Sequence, residues 1–267
     1  MLKDITLGQY FPGDTVVHRL DPRTKLIGVI LYIVALFTAQ SWLSYGLVTA
    51  AAVLFMILSR IHPKNIFKGL RPMLVILTLT AFLNVFYTKG TPVREGWIIT
   101  WEGIDKALKM ILRIVLLISG TFLLTYTTSP ISLTDGMERL LKPLKKLGVP
   151  VHEMTMMMSM ALRFIPTLVE ETDRIISAQK ARGADFETGS IADRIKALVP
   201  ILVPLFVSSF RRADDLAVAM ECRCYHGGEG RTSMKVLKLE GRDYVSLVLL
   251  AAFLAGLILL KKYYTGL

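Results

Sequence analysis

The chain has 267 residues, 53% of them apolar, and its mean hydropathy is +0.51. This composition excludes an ordinary soluble domain, which would carry more charge and fewer long apolar runs. The net charge of +11 would suggest a nucleic-acid partner in a soluble protein. In a membrane protein it indicates Lys and Arg gathered on the cytoplasmic side of a lipid bilayer, so we predict no nucleic-acid partner.

The N-terminal segment, residues 1–25, is polar and charged, and we predict neither a cleavable signal peptide nor a span within it. The stretch from Leu26 to Ser59 has no charged residue and is too long for one crossing, since a span needs about 17–25 apolar residues. Gln40-Ser41-Trp42 therefore predicts a turn between two short spans. Further spans are predicted at Pro72–Thr88, at Leu108–Thr127 with Arg113 near one end, and at Tyr244–Leu260.

These spans predict an all-α polytopic membrane protein, with four helices in 26–127 and a final one in 243–262. The loop 59–71 has no acidic residue and the turn at 40–41 has no charge. Because basic loops remain in the cytoplasm, we expect the N-terminus and the loop 59–71 on the cytoplasmic side of the cell membrane. Residues 128–242 then lie in the cytoplasm and the C-terminus lies outside.

The segment 128–242 holds 17 basic and 14 acidic residues, yet its apolar residues have helical spacing. Ser132 is predicted to cap a short amphipathic helix that Gly148-Val149-Pro150 ends. One apolar face is typical of a helix lying in the membrane interface. That face carries Met137, Leu140, Leu141, Leu144 and Leu147.

Two long helices are predicted next, one over Val151–Ala181 and one over Ile191–Cys224. Each begins apolar and ends charged, and three prolines should bend them. The prolines are Pro166, Pro200 and Pro204. An alternative is that Met154–Leu168 and Ala197–Phe210 are two more spans, which would give seven spans instead of five.

Each long helix ends in a motif with one arginine between small residues. The motifs are Ala181-Arg182-Gly183 and Cys222-Arg223-Cys224. The small neighbours leave the guanidinium open to a carboxylate, which it binds as a planar fork. A single last-turn arginine is common because the helix dipole favours it, but the repetition on two helices favours a shared binding role.

With these motifs the chain resembles the transmembrane T component of energy-coupling factor transporters, over essentially its whole length. The resemblance rests on the motif at Arg182 and on segments with similar sequence elsewhere. They are Gly8-Gln9-Tyr10, His18-Arg19-Leu20-Asp21-Pro22-Arg23-Thr24-Lys25, Arg113 and Ser159-Met160-Ala161-Leu162-Arg163-Phe164-Ile165-Pro166.

The resemblance implies a scaffold between two ABC-type ATPases and a substrate-binding membrane S component, for import of vitamins or metal ions. It implies that Arg182 and Arg223 end two coupling helices and dock into the ATPases. The second motif departs from the family pattern, because Cys222 replaces Ala and Cys224 replaces Gly. Both are small, so docking should survive, but the missing Gly makes the helix end less free.

A cluster of methionines opens the first long helix, and it predicts either a packed core or an adaptable surface for several partners. The resemblance favours the surface, as an S-component interface together with Leu140 and Leu144. The cluster is Met154, Met156, Met157, Met158 and Met160.

The sequence shows no catalytic set. It lacks a P-loop, His152-Glu153-Met154-Thr155-Met156 lacks the second His of a zincin, and Gly227-Gly228-Glu229-Gly230-Arg231-Thr232 reads as a loop. A metal at Cys222, Cys224 and His226 is disfavoured, because no second ligand pair lies nearby. We therefore predict a non-enzymatic subunit without cofactor or metal.

The rival prediction is a self-contained secondary transporter. That class would need polar residues at mid-membrane depth, and the spans offer only Asn84 and Arg113. The transported substrate is not encoded in this chain if it is a T component, because the family's substrate site lies in the S component. The sequence likewise does not show whether one S component or several S components bind this chain.

Overall fold

The computed structural model describes residues 10–88, 90–91, 100–184, 186, 190–228 and 238–265. Gly8 and Gln9, and residues 229–232 of the glycine-rich loop, lie outside the described residues. Two short 3-10 turns, Arg71–Met73 and Lys142–Leu147, interrupt the α-helices. The helices are α1 Pro22–Thr38, α2 Trp42–Ser59, α3 Pro63–Leu70, α4 Leu74–Tyr87, α5 Trp101–Thr127, α6 Pro130–Leu141, α7 Val151–Ala181, α8 Ile191–Glu221 and α9 Gly241–Thr265.

Among the described residues, four helical segments are long and apolar enough to cross a membrane, and the all-α membrane class is thereby confirmed. They are Trp42–Ser59, Pro63–Tyr87, Trp101–Thr127 and Gly241–Tyr263. The first predicted span corresponds to α1, a helix of only 17 residues whose first turn carries Arg23 and Lys25. Neither α7 nor α8 is among the four, because charged residues follow their apolar halves.

Short polar side chains fix where the helices begin. Ser41 accepts a hydrogen bond from the Ser44 N–H at 3.3 Å, and Thr100 accepts one from the Gly103 N–H at 3.2 Å. These bonds satisfy N–H groups that lack a partner within the helix. The predicted cap at Ser132 was wrong, because its N–H donates to the Ser129 hydroxyl at 3.2 Å and α6 already begins at Pro130.

The chain divides into two compact units, and the first holds the described residues of Gly8–Gly136 and Leu237–Leu267. Its core lies where α1, α2, α5 and α9 meet, and the turn between α1 and α2 closes one end. Close approach of α1 and α5 depends on Gly120, since a Cβ there would lie 2.4 Å from the Tyr32 ring. The core is Ala35, Leu36, Ala39, Tyr45, Val48, Ala52, Leu116 and Leu257.

A buried polar cluster ties α1, α5 and α9 at the other end of this core. The Lys25 ammonium donates to the carbonyls of Thr127 at 2.8 Å and His18 at 3.1 Å. The Asp243 carboxylate accepts the Asp21 N–H at 2.9 Å. The Lys25 and Asp243 side chains thus bind backbone groups of other segments, and these bonds fix how the three helices align.

Arg113 lies in the middle of α5, because that helix begins at Trp101 and not near Leu108 as predicted. Its guanidinium donates to the Ala39 carbonyl at 3.3 Å and stacks over the Phe37 and Tyr45 rings. It therefore holds the C-terminal end of α1, where cations are favoured. The other polar candidate, Asn84, donates to the Thr80 carbonyl of its own helix at 2.8 Å.

The second unit holds the described residues of Met137–Val236, and α7 and α8 are its main elements. Both helices continue through their prolines without a break. The α7 bounds agree with the predicted ones, whereas α8 ends at Glu221, three residues earlier than predicted. Ser190 and Asp193 form a capping box that starts α8, so this helix has a well-defined beginning.

Candidate partner-docking site

The C-terminal end of α7 is a Schellman motif built around Gly183. The Gly183 N–H donates to the Lys180 carbonyl at 3.0 Å, and the Ala184 N–H donates to the Gln179 carbonyl at 3.0 Å. Gly183 has a φ of +88°, the left-handed conformation that this motif requires and that glycine adopts without strain. Arg182 is the residue just before it and is exposed.

The C-terminal end of α8 repeats this hydrogen-bond pattern. The Cys224 N–H donates to the Glu221 carbonyl at 2.8 Å, and the Tyr225 N–H donates to the Met220 carbonyl at 3.0 Å. Cys224 takes the place of Gly183 with a φ of +54°. Arg223 is exposed and stands at the same position of the motif as Arg182. The two predicted motifs are therefore one structural motif that occurs twice, although Cys224 replaces the glycine.

Arg182 and Arg223 lie in similar surroundings. Among the residues that the structure describes, neither the Arg182 nor the Arg223 guanidinium has an acidic partner. Each follows a helix end whose carbonyls are closed by the Schellman bonds. An open guanidinium at such an end can bind a carboxylate or a carbonyl of another protein with both of its edges.

Two polar contacts between described residues join α7 to α8, one in the middle of α7 and one in its last turn. The Arg212 guanidinium forms an ion pair and a hydrogen bond with the Glu171 carboxylate. Gln179 donates from its side-chain amide to the Pro200 carbonyl at 3.5 Å. The pair was absent from the sequence prediction, because nothing in the local spacing links residues 41 positions apart.

The methionine cluster lies mostly at the surface of this unit. Met154, Met157 and Met158 are exposed, whereas Met156 and Met160 are half-buried. In the preceding segment Leu144 is exposed and Leu140 is half-buried. The structure thus places part of the predicted set where a partner could reach it.

A larger apolar surface lies on the first half of α8, where the sequence predicted an apolar run or a further span but no partner surface. Its exposed residues recur every three or four positions and so share one face of the helix. Phe206 is 61% exposed and Phe210 is 69% exposed. The exposed residues of this surface are Ile195, Leu198, Val199, Leu202, Val203, Phe206, Val207 and Phe210.

The thiols of Cys222 and Cys224 are both free and exposed. Within the described ranges, no group of three or more His, Cys, Asp or Glu side chains could hold a metal ion. Cys222, Cys224 and His226 therefore do not form such a group in this structure.

Comparison with known proteins gives a consistent family. The family model described as cobalt transport protein (CbiQ) matches residues 13–234. The chain is 52% identical over 270 residues to the energy-coupling factor transporter transmembrane protein EcfT of Clostridium kluyveri, with both chains fully covered. It is 48% identical over 260 residues to the protein of that name from Bacillus subtilis, with 95% of this chain and 98% of the relative covered.

Proposed function

The chain belongs to the family of EcfT transmembrane components of energy-coupling factor transporters, and from that premise we propose its role in the complex. It is the scaffold that joins two ABC-type ATPases to a membrane S component. ATP-driven motion of the ATPases reaches the S component through α7 and α8, for uptake of vitamins or metal ions. ATP hydrolysis belongs to the partner subunits, since this chain has no P-loop motif.

The observation that carries this proposal is the repeated Schellman motif with its exposed arginine. Two copies of one docking element match two ATPase subunits that are alike. Each guanidinium enters a groove of one ATPase and pairs with carboxylates there. Because such a groove excludes water, the pair is worth more than one at the protein surface.

The S component binds the apolar surface of α8 together with the exposed methionines of α7. That surface is too large for a soluble unit to leave in water. Methionine side chains repack easily against different partners, so the same surface can accept more than one S component. Leu140 and Leu144 extend it in the preceding segment.

The test is co-purification of the two ATPases with arginine variants of the full-length chain. Arg182→Ala and Arg223→Ala should each weaken ATPase association by about 2–5 kcal/mol, because truncation leaves the ATPase acids unpaired. The double variant should lose nearly all association, since the two sites lie on separate helices. Lys at either position should rescue poorly because it lacks the planar fork.

The matched control is Arg211→Ala, which removes an exposed arginine from the middle of α8. It should leave assembly unchanged. Cys222→Ala combined with Cys224→Gly should also be close to neutral. Full ATPase assembly and substrate uptake in vesicles by the double arginine variant would contradict the proposed function.

A further inference from the structure

The ion pair between α7 and α8 is equally far along the chain from Arg182 and from Arg223, which we call the docking arginines. Arg182 follows Glu171 by eleven residues (182 − 171), and Arg223 follows Arg212 by eleven residues (223 − 212). Both intervals are helical up to the terminal motif. At a rise of 1.5 Å per residue, each arginine lies about 16.5 Å along its helix from the pair.

The two helices run in opposite directions at this contact. Moving from Glu171 to Gln179 along α7 corresponds to moving back from Arg212 to Pro200 along α8. The two docking ends therefore extend to opposite sides of the ion pair. Two partners bound at Arg182 and Arg223 would then act on α7 and α8 from opposite sides of a shared contact.

The second contact depends on the prolines of α8. Pro204 has no N–H, so it cannot donate to the carbonyl of Pro200 as a helical residue four positions later would. The Gln179 amide donates to that carbonyl instead. This bond is long at 3.5 Å and therefore weak, which leaves the ion pair as the stronger polar contact between the helices.

The pair borders an open cleft of about 530 Å³. Side chains of α7 and Arg212 of α8 line this cleft, and most of them are polar. The Glu171 and Arg212 side chains are 22% and 35% exposed, so both charges are partly removed from water. Removal of one charge therefore leaves the other half-buried beside an open cleft.

We propose that Glu171 and Arg212, which we call the pivot pair, fasten α7 to α8 so that displacement of one docking end moves the other helix. This inference rests on the proposed function, because only that function assigns ATPase binding to the ends of α7 and α8. The pivot pair contacts no substrate and no nucleotide. Its residues are positioning residues that convert two separate ATPase movements into one movement of the α7–α8 pair.

The experiment uses the complete complex with its ATPases and an S component, reconstituted in proteoliposomes. Glu171→Gln and Arg212→Gln should leave ATPase co-purification and ATP hydrolysis close to wild type. Substrate taken up per ATP hydrolysed should fall about five-fold or more, the lower end of typical coupling between sites. The double Gln variant should be no worse than either single variant, because both remove the same interaction.

The charge reversal, Glu171→Arg with Arg212→Glu, restores an ion pair at the same place and should recover most of the coupling. Glu170→Gln and Arg211→Gln change neighbouring exposed charges and should leave uptake per ATP unchanged. Unchanged coupling in the single variants would overturn the pivot pair, and so would a charge reversal that assembles without recovering coupling.

The outcomes also separate this inference from the proposed function. Loss of ATPase binding in the Arg182 and Arg223 variants, with normal coupling in the pivot variants, would reject the pivot pair alone. Normal ATPase binding in the Arg182 and Arg223 double variant would reject the docking role itself. Loss of ATPase binding in a pivot variant, uncorrected by charge reversal, would show that the pair serves only to fold this unit.

Discussion

A left-handed residue follows each docking arginine, and its identity differs between the two helices. Gly183 adopts this conformation freely, whereas a residue with a Cβ is strained there by about 1–2 kcal/mol. Cys224 carries that strain at a φ of +54° and still forms both Schellman bonds. The replacement of glycine therefore changes the energy of this helix end and its φ, but it keeps the two hydrogen bonds.

The backbone conformations of Cys222 and Cys224 predict different effects for the same substitution at the two positions. Cys224→Val should disrupt the second motif and weaken ATPase binding, because a β-branched residue is a strong outlier at positive φ. Cys222→Val is the matched control, since Cys222 is right-handed with a φ of −59° and accepts valine readily. Cys224→Gly should keep binding and slightly raise the melting temperature. The measurement is ATPase co-purification with a thermal melt, and equal effects of the two valine changes would contradict the prediction.

At the scale of the element, α8 combines two different surfaces in one helix. Its first half exposes large apolar side chains such as Phe206, and its second half carries Arg211, Arg212, Asp214 and Asp215. An apolar helix face is stable only when something covers it. Under the proposed function, this order places the surface for the S component before the end that binds an ATPase.

Removing apolar area from the first half should affect only the S component. Phe206→Ser and Phe210→Ser should each weaken its association by about 1.5–3 kcal/mol, the range for burying one large apolar side chain. Val218→Ser is the control, because Val218 is equally exposed on the same helix but lies in the charged half. Co-purification of S component and ATPases is measured for each variant. ATPase loss that accompanies S-component loss would count against separate surfaces.

Helix bounds were predictable where proline or glycine marks a helix end. α7 begins after Pro150 and ends before Gly183. Both bounds were predicted correctly, because these residues mark the start and the end of a helix locally. α5 begins at Trp101, before the predicted span Leu108–Thr127. Glu102 and Asp105 lie in its first turns, where the helix dipole favours acidic side chains.

The candidate site was only partly predictable for a physical reason. Both arginine motifs are local, so their sequence alone identified them. The pivot pair and the contact from Gln179 to Pro200 join residues far apart in the chain. Both depend on how α7 and α8, two helices with internal prolines, pack against each other. A single sequence carries no periodic signal for such a contact.

At the scale of the whole molecule, the two units differ in how they use apolar residues. The first buries a core between its helices and also exposes apolar side chains on spans, such as Val75 and Leu79 on α4. Lipid covers such side chains in a membrane protein. The second exposes apolar side chains on α7 and α8 beside many charges, which suits contacts with other proteins. The division into membrane-spanning and cytoplasmic segments stays a prediction, which the topology experiment below tests.

The predicted topology places α7, α8 and the N-terminus in the cytoplasm and the end of α9 outside, because basic loops remain inside. Cysteine labelling with a membrane-impermeant thiol reagent tests it in a Cys222→Ala, Cys224→Gly background, which removes both native thiols. Ser177→Cys reports on the exposed surface between the two possible extra spans, Met154–Leu168 and Ala197–Phe210, without disturbing the capping box that a change at Ser190 would break. It should react only in inside-out vesicles, and Thr265→Cys only in right-side-out vesicles. Labelling of position 177 from outside would refute this topology.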